Sequence, residues 1–423
     1  MERSLLTRFV MIAVVKPCAL APDLQGQPCS GPGAGALWGK TVFHPWIQVI
    51  CILLISQDGF GDEASREKSE VHKPDLVFGL FRHGDRAPLM TYPTDTNRNS
   101  SLWELGFGEL TQRGIKTMLA LGKYLKKRYS ELLNGDPKAT YVRSSPKPRC
   151  FNSAAFVLYE LYPAKAPRKF DNKKWFPFPI TRVVEGHDKY TLLCLTEIQK
   201  LATKVLNTTG QSTGMSQFLI EAAQQLGLDL KAHVAAIPDA LDAVLVQKEN
   251  GLQVPAWFEN RISTLSYISR GLYVLMAQAF IKNMGGQFLR DIASFLEEKY
   301  IHSSENLKKD HLTPGQDKSR WNAKLHLLSY HDLNIIAALM ALDSTFSEKP
   351  YYGSLVTFEV RKVAEEADIT VYYRNGTQEI KMFNLPGCSY PCKVKDFITL
   401  VRQRFPIDFT PEVCGYPKGY VVL

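Results

Sequence analysis

The chain lacks the patterns that most directly mark a metal or nucleotide protein. It holds no His-Glu-x-x-His, no Cys-x-x-Cys and no cluster of carboxylates and histidines spaced for a two-metal centre. Metal-dependent hydrolysis therefore has no support in it, and no metal is expected. The glycine-rich Walker loop and the dinucleotide fingerprint are also missing, so no nucleotide cofactor, and no cofactor of any kind, is implied. Long apolar runs are absent. Phe9–Val15 and Trp46–Ser56 both fall well short of the ~20 residues that a membrane-spanning helix needs. No internal repeat is evident, and no aromatic-interleaved basic groove marks a nucleic-acid binder.

What is present is concentrated in a few short segments. The apolar run Leu76–Phe81 reads as a buried strand and leads directly into Arg82-His83-Gly84-Asp85-Arg86-Ala87-Pro88. Two guanidinium groups thus flank one imidazole at a strand end. Thr140-Tyr141-Val142 is a second strand-like run, ending in Arg143-Ser144-Ser145 with Arg149 beyond it. Lys324–Tyr330 is a third, running into His331-Asp332 and a helical stretch, Leu333–Leu342. In open α/β sheets ligand sites gather outside the carboxyl ends of strands, so these three ends define one candidate rim. Arginine suits a tetrahedral oxyanion because its planar fork matches phosphate oxygens and keeps its charge. Arg82, Arg86 and Arg143 are read as a phosphate clamp, with His331 as a further donor and His83 as the nucleophile. Asp332 is placed to give a proton to a leaving alkoxide; its competing role is a helix N-cap for Leu333 onward.

The formal net charge of +9 stays positive once Met1–Ser56 is set aside, since that segment carries four basic and two acidic residues. Part of the excess lies in Lys123–Arg128, read as a solvated helix face. The stretch Trp46–Ser56 has the length of a signal-peptide core, with Lys40 before it and a polar, acidic stretch after it; a cleaved secretory signal ending near Ser56–Gly61 is expected. Asn99, Asn207 and Asn375 open glycosylation sequons. Five cysteines follow the leader: Cys150, Cys194, Cys388, Cys392 and Cys414. Cys388 and Cys392 are close enough in sequence to close a small loop. Cys150 is odd, either a buried small hydrophobe or a reactive thiol.

The coarse element pattern alternates strands and helices. Thr111–Leu133 reads as a helix, with Ile115, Met118, Leu121, Leu125, Tyr129 and Leu132 at a 3–4 spacing and Thr111 as N-cap. Thr191–Leu206, Met215–Leu226, Trp257–Lys282 and Gln287–Ile301 also show helical periodicity. Ser354–Val360 and Ile369–Arg374 alternate like a hairpin, with Asn375-Gly376 next as a turn signal. This gives residues 1–70 as leader and linker, 71–171 as the first part of an α/β catalytic domain, 172–306 as a mostly helical insert, and 307–423 as the second part of the α/β domain.

The chain resembles the histidine acid phosphatases, the branch of the histidine phosphatase superfamily that includes secreted, lysosomal and prostatic acid phosphatases. The likeness is carried by Arg82–Pro88, Tyr92–Asp95, Gly106–Thr111 with Gly114, Val142–Ser145 with Arg149, His331-Asp332, Tyr372–Asn375 and Leu385–Cys388. It implies an α/β fold with a phosphoglycerate-mutase-like core, a mixed sheet flanked by helices, and an inserted helical lobe. It also implies hydrolysis of small phosphate monoesters through a phosphohistidine on His83, with Asp332 as general acid and activity greatest at acid pH. The family's pairing would join Cys388 to Cys392 and Cys194 to Cys414; a third family disulfide is missing, its positions falling near Val246 and Gly353. A secreted or lysosomal lumenal protein is expected, with a homodimer conceivable and no stable membrane span after signal cleavage. Two other functions stay open: a phytase or inositol-polyphosphate phosphatase, and a catalytically weak secreted binding protein of the same fold. The second rests on departures from the family pattern, Pro146 and Pro148 where acids are usual and Leu333-Asn334 where threonines are usual.

Overall fold

The computed structural model describes residues 73–163, 177–194, 196–197, 200–201, 214–230, 232–233, 236–301, 318–406 and 410–422. The apolar segments Phe9–Val15 and Trp46–Ser56, the sequon asparagine Asn207 and half of the expected helix Thr191–Leu206 lie outside them.

Eight strands among the described residues form one mixed sheet. They are β1 (Leu76–Arg82), β2 (Thr140–Ser144), β3 (Thr181–Arg182), β4 (Leu325–Tyr330), β5 (Leu355–Val363), β6 (Glu366–Arg374), β7 (Lys381–Phe383) and β8 (Cys392–Lys393). The order is β3-β2-β4-β1-β5-β6-β7, with β8 also paired to β6. The β3-β2-β4-β1 half is parallel, and β5 joins β1 antiparallel. All seven residues of β1 are buried, as are all six of β4, and β1 accordingly reads as a nearly continuous apolar run, as a strand covered on both faces does.

Helices cover both faces. On one side Val77, Phe81, Leu325 and Leu327 pack against α1 (Gln112–Arg128) and α2 (Pro148–Leu161). The expected N-cap is in place: the Thr111 hydroxyl accepts from the Gly114 amide. Three further helices, α3 (Gly214–Leu226), α4 (Ile237–Glu249) and α5 (Ile262–Ala279), share a core of their own with Tyr92. On the other face of the sheet, Leu76, Phe78, Leu80, Leu328 and Tyr330 meet α6 (Gln287–Tyr300), α7 (Asp332–Leu342) and α8 (Val394–Arg404). Within the expected insert 172–306, α3 to α5 therefore form a helical group, while α6 packs on the sheet. Helix α7 is apolar all round and buried almost throughout, as a helix enclosed on every side must be.

Two points differ from the sequence reading. Helix α4 was not among the expected helices, although Pro238 stands in its first turn as helix starts favour. The stretch Trp257–Lys282 is broken into Ala256–Glu259, α5 and a π-type turn at Ile281–Gly286. The β5–β6 hairpin turns at Ala364 (φ 54°), and the expected turn at Asn375-Gly376 follows β6 and leads into the antiparallel β7.

The disulfides Cys194–Cys414 and Cys388–Cys392 are formed. Cys150 is free and wholly buried. No helix among the described residues is long and apolar enough to cross a membrane.

Candidate active site

Strand register assembles the site. Arg82 at the end of β1 lies beside Tyr330 at the end of β4, and Ser144 at the end of β2 lies beside Ser329. The next residue of each strand, His83, His331 and Ser145, therefore emerges at the same edge of the sheet. Backbone bonds extend that alignment one step: the His83 amide donates to the Tyr330 carbonyl (3.0 Å) and the Ser145 amide to the Ser329 carbonyl (3.0 Å). Gly84 then turns the chain against helix α1. A Cβ on Gly84 would lie 2.6 Å from the Gly114 carbonyl oxygen, and one on Gly114 would lie 2.0 Å from that of Asp85. Only two glycines allow this approach.

His83 is 3% exposed. Its Nδ1–H donates to the Gly84 carbonyl at 2.8 Å, which fixes the tautomer and leaves the Nε2 lone pair for chemistry. Burial, then the charge of Arg149, then His331 and the two arginines of the motif hold its imidazole well below the usual histidine range. It is a neutral base. Arg149 donates its Nε–H to that Nε2 at 3.2 Å.

Arg82 and Arg86 are buried at 3% exposure each. Arg82 donates to the Pro350 carbonyl (2.7 Å), pairs with Asp332 (2.9 Å) and lies over the Tyr352 ring, 3.9 Å from its centroid. Arg86 pairs with Asp242 (2.8 Å) and donates to the Ala87 carbonyl (3.1 Å). The Nε–H of each has no acceptor among the described residues. Buried donors are rarely left so, and two in adjacent guanidinium groups are what an anion-binding site contains before its anion arrives.

The structure corrects the expected clamp at one position. Arg143 turns away from His83: it pairs with Asp188 (2.9 Å) and donates to the Tyr330 hydroxyl (3.0 Å). Arg149, in the first turn of α2 after Pro148, supplies the third guanidinium beside the imidazole. The physical reason is the strand itself. The Arg143 side chain leaves β2 on the face of Tyr190, over whose ring it lies at 5.1 Å, whereas α2 begins above the strand ends.

His331, not Asp332, is the N-cap of α7; its backbone and side chain form a reciprocal box with Asn334. The His331 Nε2 bonds the Ser145 hydroxyl at 2.8 Å. Burial, with Arg149 next, pushes its pKa down to about 3, so it too is neutral. Burial alone pushes the Asp332 carboxyl up, but Arg82, followed by Lys349, outweighs burial and holds it below the usual carboxylate range. Cys150 lies 3.7 Å from the His331 ring, and burial pushes its thiol up to about 12; it is a small buried hydrophobe rather than a thiolate.

Asp242, Lys349 and Tyr352 were not among the expected site residues. Asp242 comes from α4, 156 residues beyond its partner Arg86, and Lys349 bonds its other oxygen at 3.2 Å. No local pattern marks such a pairing. Among the described residues no group of histidines, cysteines and carboxylates is arranged to hold a metal.

A neutral imidazole with its lone pair among three arginines, beside a carboxyl and a second imidazole, is an arrangement for phosphoryl transfer by a histidine. The chain belongs to the histidine phosphatase superfamily (branch 2), whose family model matches residues 75–354. Its relatives include human lysosomal acid phosphatase, 29% identical over 354 residues that make up 80% of each chain. Human prostatic acid phosphatase is 28% identical over 351 residues, 79% of this chain and 86% of that protein. Among solved structures, the phytase from Citrobacter braakii superposes with a TM-score of 0.54 at 16% identity, covering 81% of this chain and 99% of that one. That last likeness is one of fold.

Proposed function

We propose that this protein is an acid phosphomonoesterase that works through a phosphohistidine on His83. The observation that carries the reading is the fixed Nδ1–H tautomer of His83 among arginines whose buried Nε–H groups lack acceptors. The phosphoryl oxygens take up Arg82, Arg86 and Arg149, with His331 as a neutral donor. As Arg149 turns its Nε–H from Nε2 to a phosphoryl oxygen, the freed Nε2 lone pair attacks phosphorus, the ester P–O bond breaks, and the departing alkoxide takes the Asp332 proton. The Gly84 carbonyl, already bonded to Nδ1–H, stabilises the cationic phosphoimidazole. Water then attacks phosphorus, the P–N bond breaks, Asp332 takes the proton released by the water, and inorganic phosphate leaves. Splitting one displacement into two is the usual logic of covalent catalysis.

Arg82 and Lys349 favour the ionised form of Asp332, so the reaction needs a proton brought to it. Phosphate monoesters lose their second proton with a pKa of about 6. Below that, the substrate carries a proton that it can share with Asp332, and its negative charge offsets Arg82. Activity is therefore greatest in acid. Two disulfides in the chain suit an oxidising compartment, and with relatives named lysosomal and prostatic acid phosphatases the reading places it in the lumen of the secretory route.

The test is aryl-phosphate hydrolysis by the full chain across acid to neutral pH with a chelator present, beside His83→Ala. Activity that peaks in acid, survives chelation and disappears in the variant supports the reading. A folded protein with no His83-dependent hydrolysis at any pH refutes it.

A further inference from the structure

One short segment, Lys349–Ser354, reaches Arg82 of the Arg82–Pro88 motif directly and Arg86 through its carboxylate partner. The Pro350 carbonyl accepts from Arg82 at 2.7 Å and the Tyr352 ring lies beneath the same guanidinium at 3.9 Å. The Ser354 carbonyl accepts the Arg82 backbone amide at 2.9 Å. Lys349 reaches Asp242, the carboxylate that holds Arg86, and lies over the Tyr273 ring at 4.0 Å. Such a segment places side chains accurately only if its own backbone is pinned.

The pin is a single side chain from the end of β6. The Asn375 Oδ1 accepts from the Tyr351 amide (2.8 Å) and from the Ser354 hydroxyl (2.9 Å), and its Nδ2 donates to Glu348 (3.2 Å). The Gly376 amide in turn donates to the Ser354 hydroxyl at 2.8 Å. Asn375 thus binds three residues spread across Glu348–Ser354, yet touches neither arginine.

We propose that Asn375 is a positioning residue for the active site, acting through the Lys349–Ser354 segment to hold Arg82 against Asp332. This rests on the phosphatase reading above. Without the pin, Pro350 and Tyr352 shift, and Arg82 loses its register with Asp332 and with the phosphoryl oxygens. Misplacement of about 1 Å in such a constellation costs on the order of a hundredfold in rate.

Asn375 also opens the sequon Asn375-Gly376-Thr377, so the experiment must separate the side chain from a glycan. The full secreted chain is compared with Asn375→Ala, Asn375→Asp and Thr377→Ala, with Ser354→Ala as a milder disruption of the same pin and His83→Ala as the inactive reference. Steady-state kinetics on an aryl phosphate, the pH profile of kcat/KM and inhibition by vanadate are measured. Asn375→Ala is expected to lower kcat by about ten- to a hundredfold and to weaken vanadate. Its alkaline limb should move to higher pH, because Asp332, which faces Arg82, Lys349, Asp242 and His331, loses the cation that most favours its ionised form. Asn375→Asp retains an acceptor for Tyr351 and Ser354 but sets a carboxylate against Glu348 in place of a donor, so it should recover part of the kcat lost in Asn375→Ala although it too abolishes the sequon. Thr377→Ala should match the parent, and Ser354→Ala should follow Asn375→Ala in direction with a smaller effect. Parental kcat and pH profile in Asn375→Ala would overturn the proposal. So would an equal loss in Thr377→Ala, which would assign the effect to the glycan. Should Asn375→Ala fail to fold, an unaltered pH profile in folded Ser354→Ala overturns it. A parent chain without His83-dependent activity would instead sink the phosphatase reading, which keeps the two failures distinct.

Discussion

Arg149 aims its Nε–H at the Nε2 of His83, 3.2 Å away, and no carboxylate among the described residues lies within ion-pair distance of its guanidinium. Arg82, Arg86 and Arg143 are each paired to one. On the phosphatase reading, the unpaired cation beside His83 is the one most available to an incoming phosphoryl group. Arg149→Ala is therefore expected to lower kcat/KM by about 10²–10³, the usual cost of removing one charge-stabilising donor, and to weaken inhibition by phosphate. Arg143→Ala should cost less in phosphate affinity, because its fork is committed to Asp188 and Tyr330. Equal losses of phosphate affinity in the two variants would return Arg143 to the clamp.

Asp332 leads to a leaving-group test. A proton donor matters most when the departing oxygen is strongly basic. Asp332→Asn should lower kcat on an alkyl phosphate by about 10²–10⁴, and by less on p-nitrophenyl phosphate, whose phenolate leaves unaided. Similar losses on both substrates would indicate that the carboxylate serves chiefly to hold Arg82.

Much of this site was legible in the sequence because it is built at strand ends, where local pattern and position coincide. Arg82, His83 and Arg86 follow a run apolar enough to be read as a buried strand, and His331-Asp332 follows another. Arg143 against Arg149 was not legible. Arg143 lies near the end of β2 and Arg149 a few residues beyond it, and only the start of α2 at Pro148 and the direction in which each side chain leaves the backbone decide which reaches the imidazole. Asp242 was hidden for a different reason. Its segment has an ordinary helical composition, and its pairing with Arg86 depends on how α4 meets the loop after β1. The Cys194–Cys414 pairing is legible only through family resemblance, since the two lie 220 residues apart, whereas Cys388 and Cys392 are near enough in sequence to close a loop.

His326 carries a stability prediction that is separate from catalysis. It is 2% exposed, stacks on Phe78 with centroids 4.7 Å apart, and its Nε2 has no partner among the described residues. Burial, with Arg320 next, pushes its pKa down to about 3. Because the folded value lies below the unfolded value of about 6.5, the unfolded state binds more protons between them. The stability contributed by neutral His326 is thus fully present above about pH 6.5 and is lost as pH falls toward 3. Replacing it by Phe should flatten the decline of Tm with acidification over that window, without altering KM. An unchanged slope would mean that His326 gains a partner on protonation that relieves the cost.

The two disulfides should differ in what they contribute. In the chain-entropy view a cross-link stabilises by restricting the unfolded chain, so a bridge spanning 220 residues is worth about 5 kcal/mol and one spanning four about 2 kcal/mol. Cys194–Cys414 also lies within a buried cluster with Phe280, Met284 and Ala337, so it fastens the tail at Cys414 to the π-type turn and to α7. Replacing Cys194 and Cys414 together by Ala should lower Tm markedly, and the loss should fall first on the segment around Pro411–Tyr416, read as faster hydrogen exchange or proteolysis there. Replacing Cys388 and Cys392 should lower Tm less and leave that segment protected. If the short bridge proved the more costly to lose, loop entropy would not be the governing term, and the local geometry around β8 and α8 would have to supply the difference.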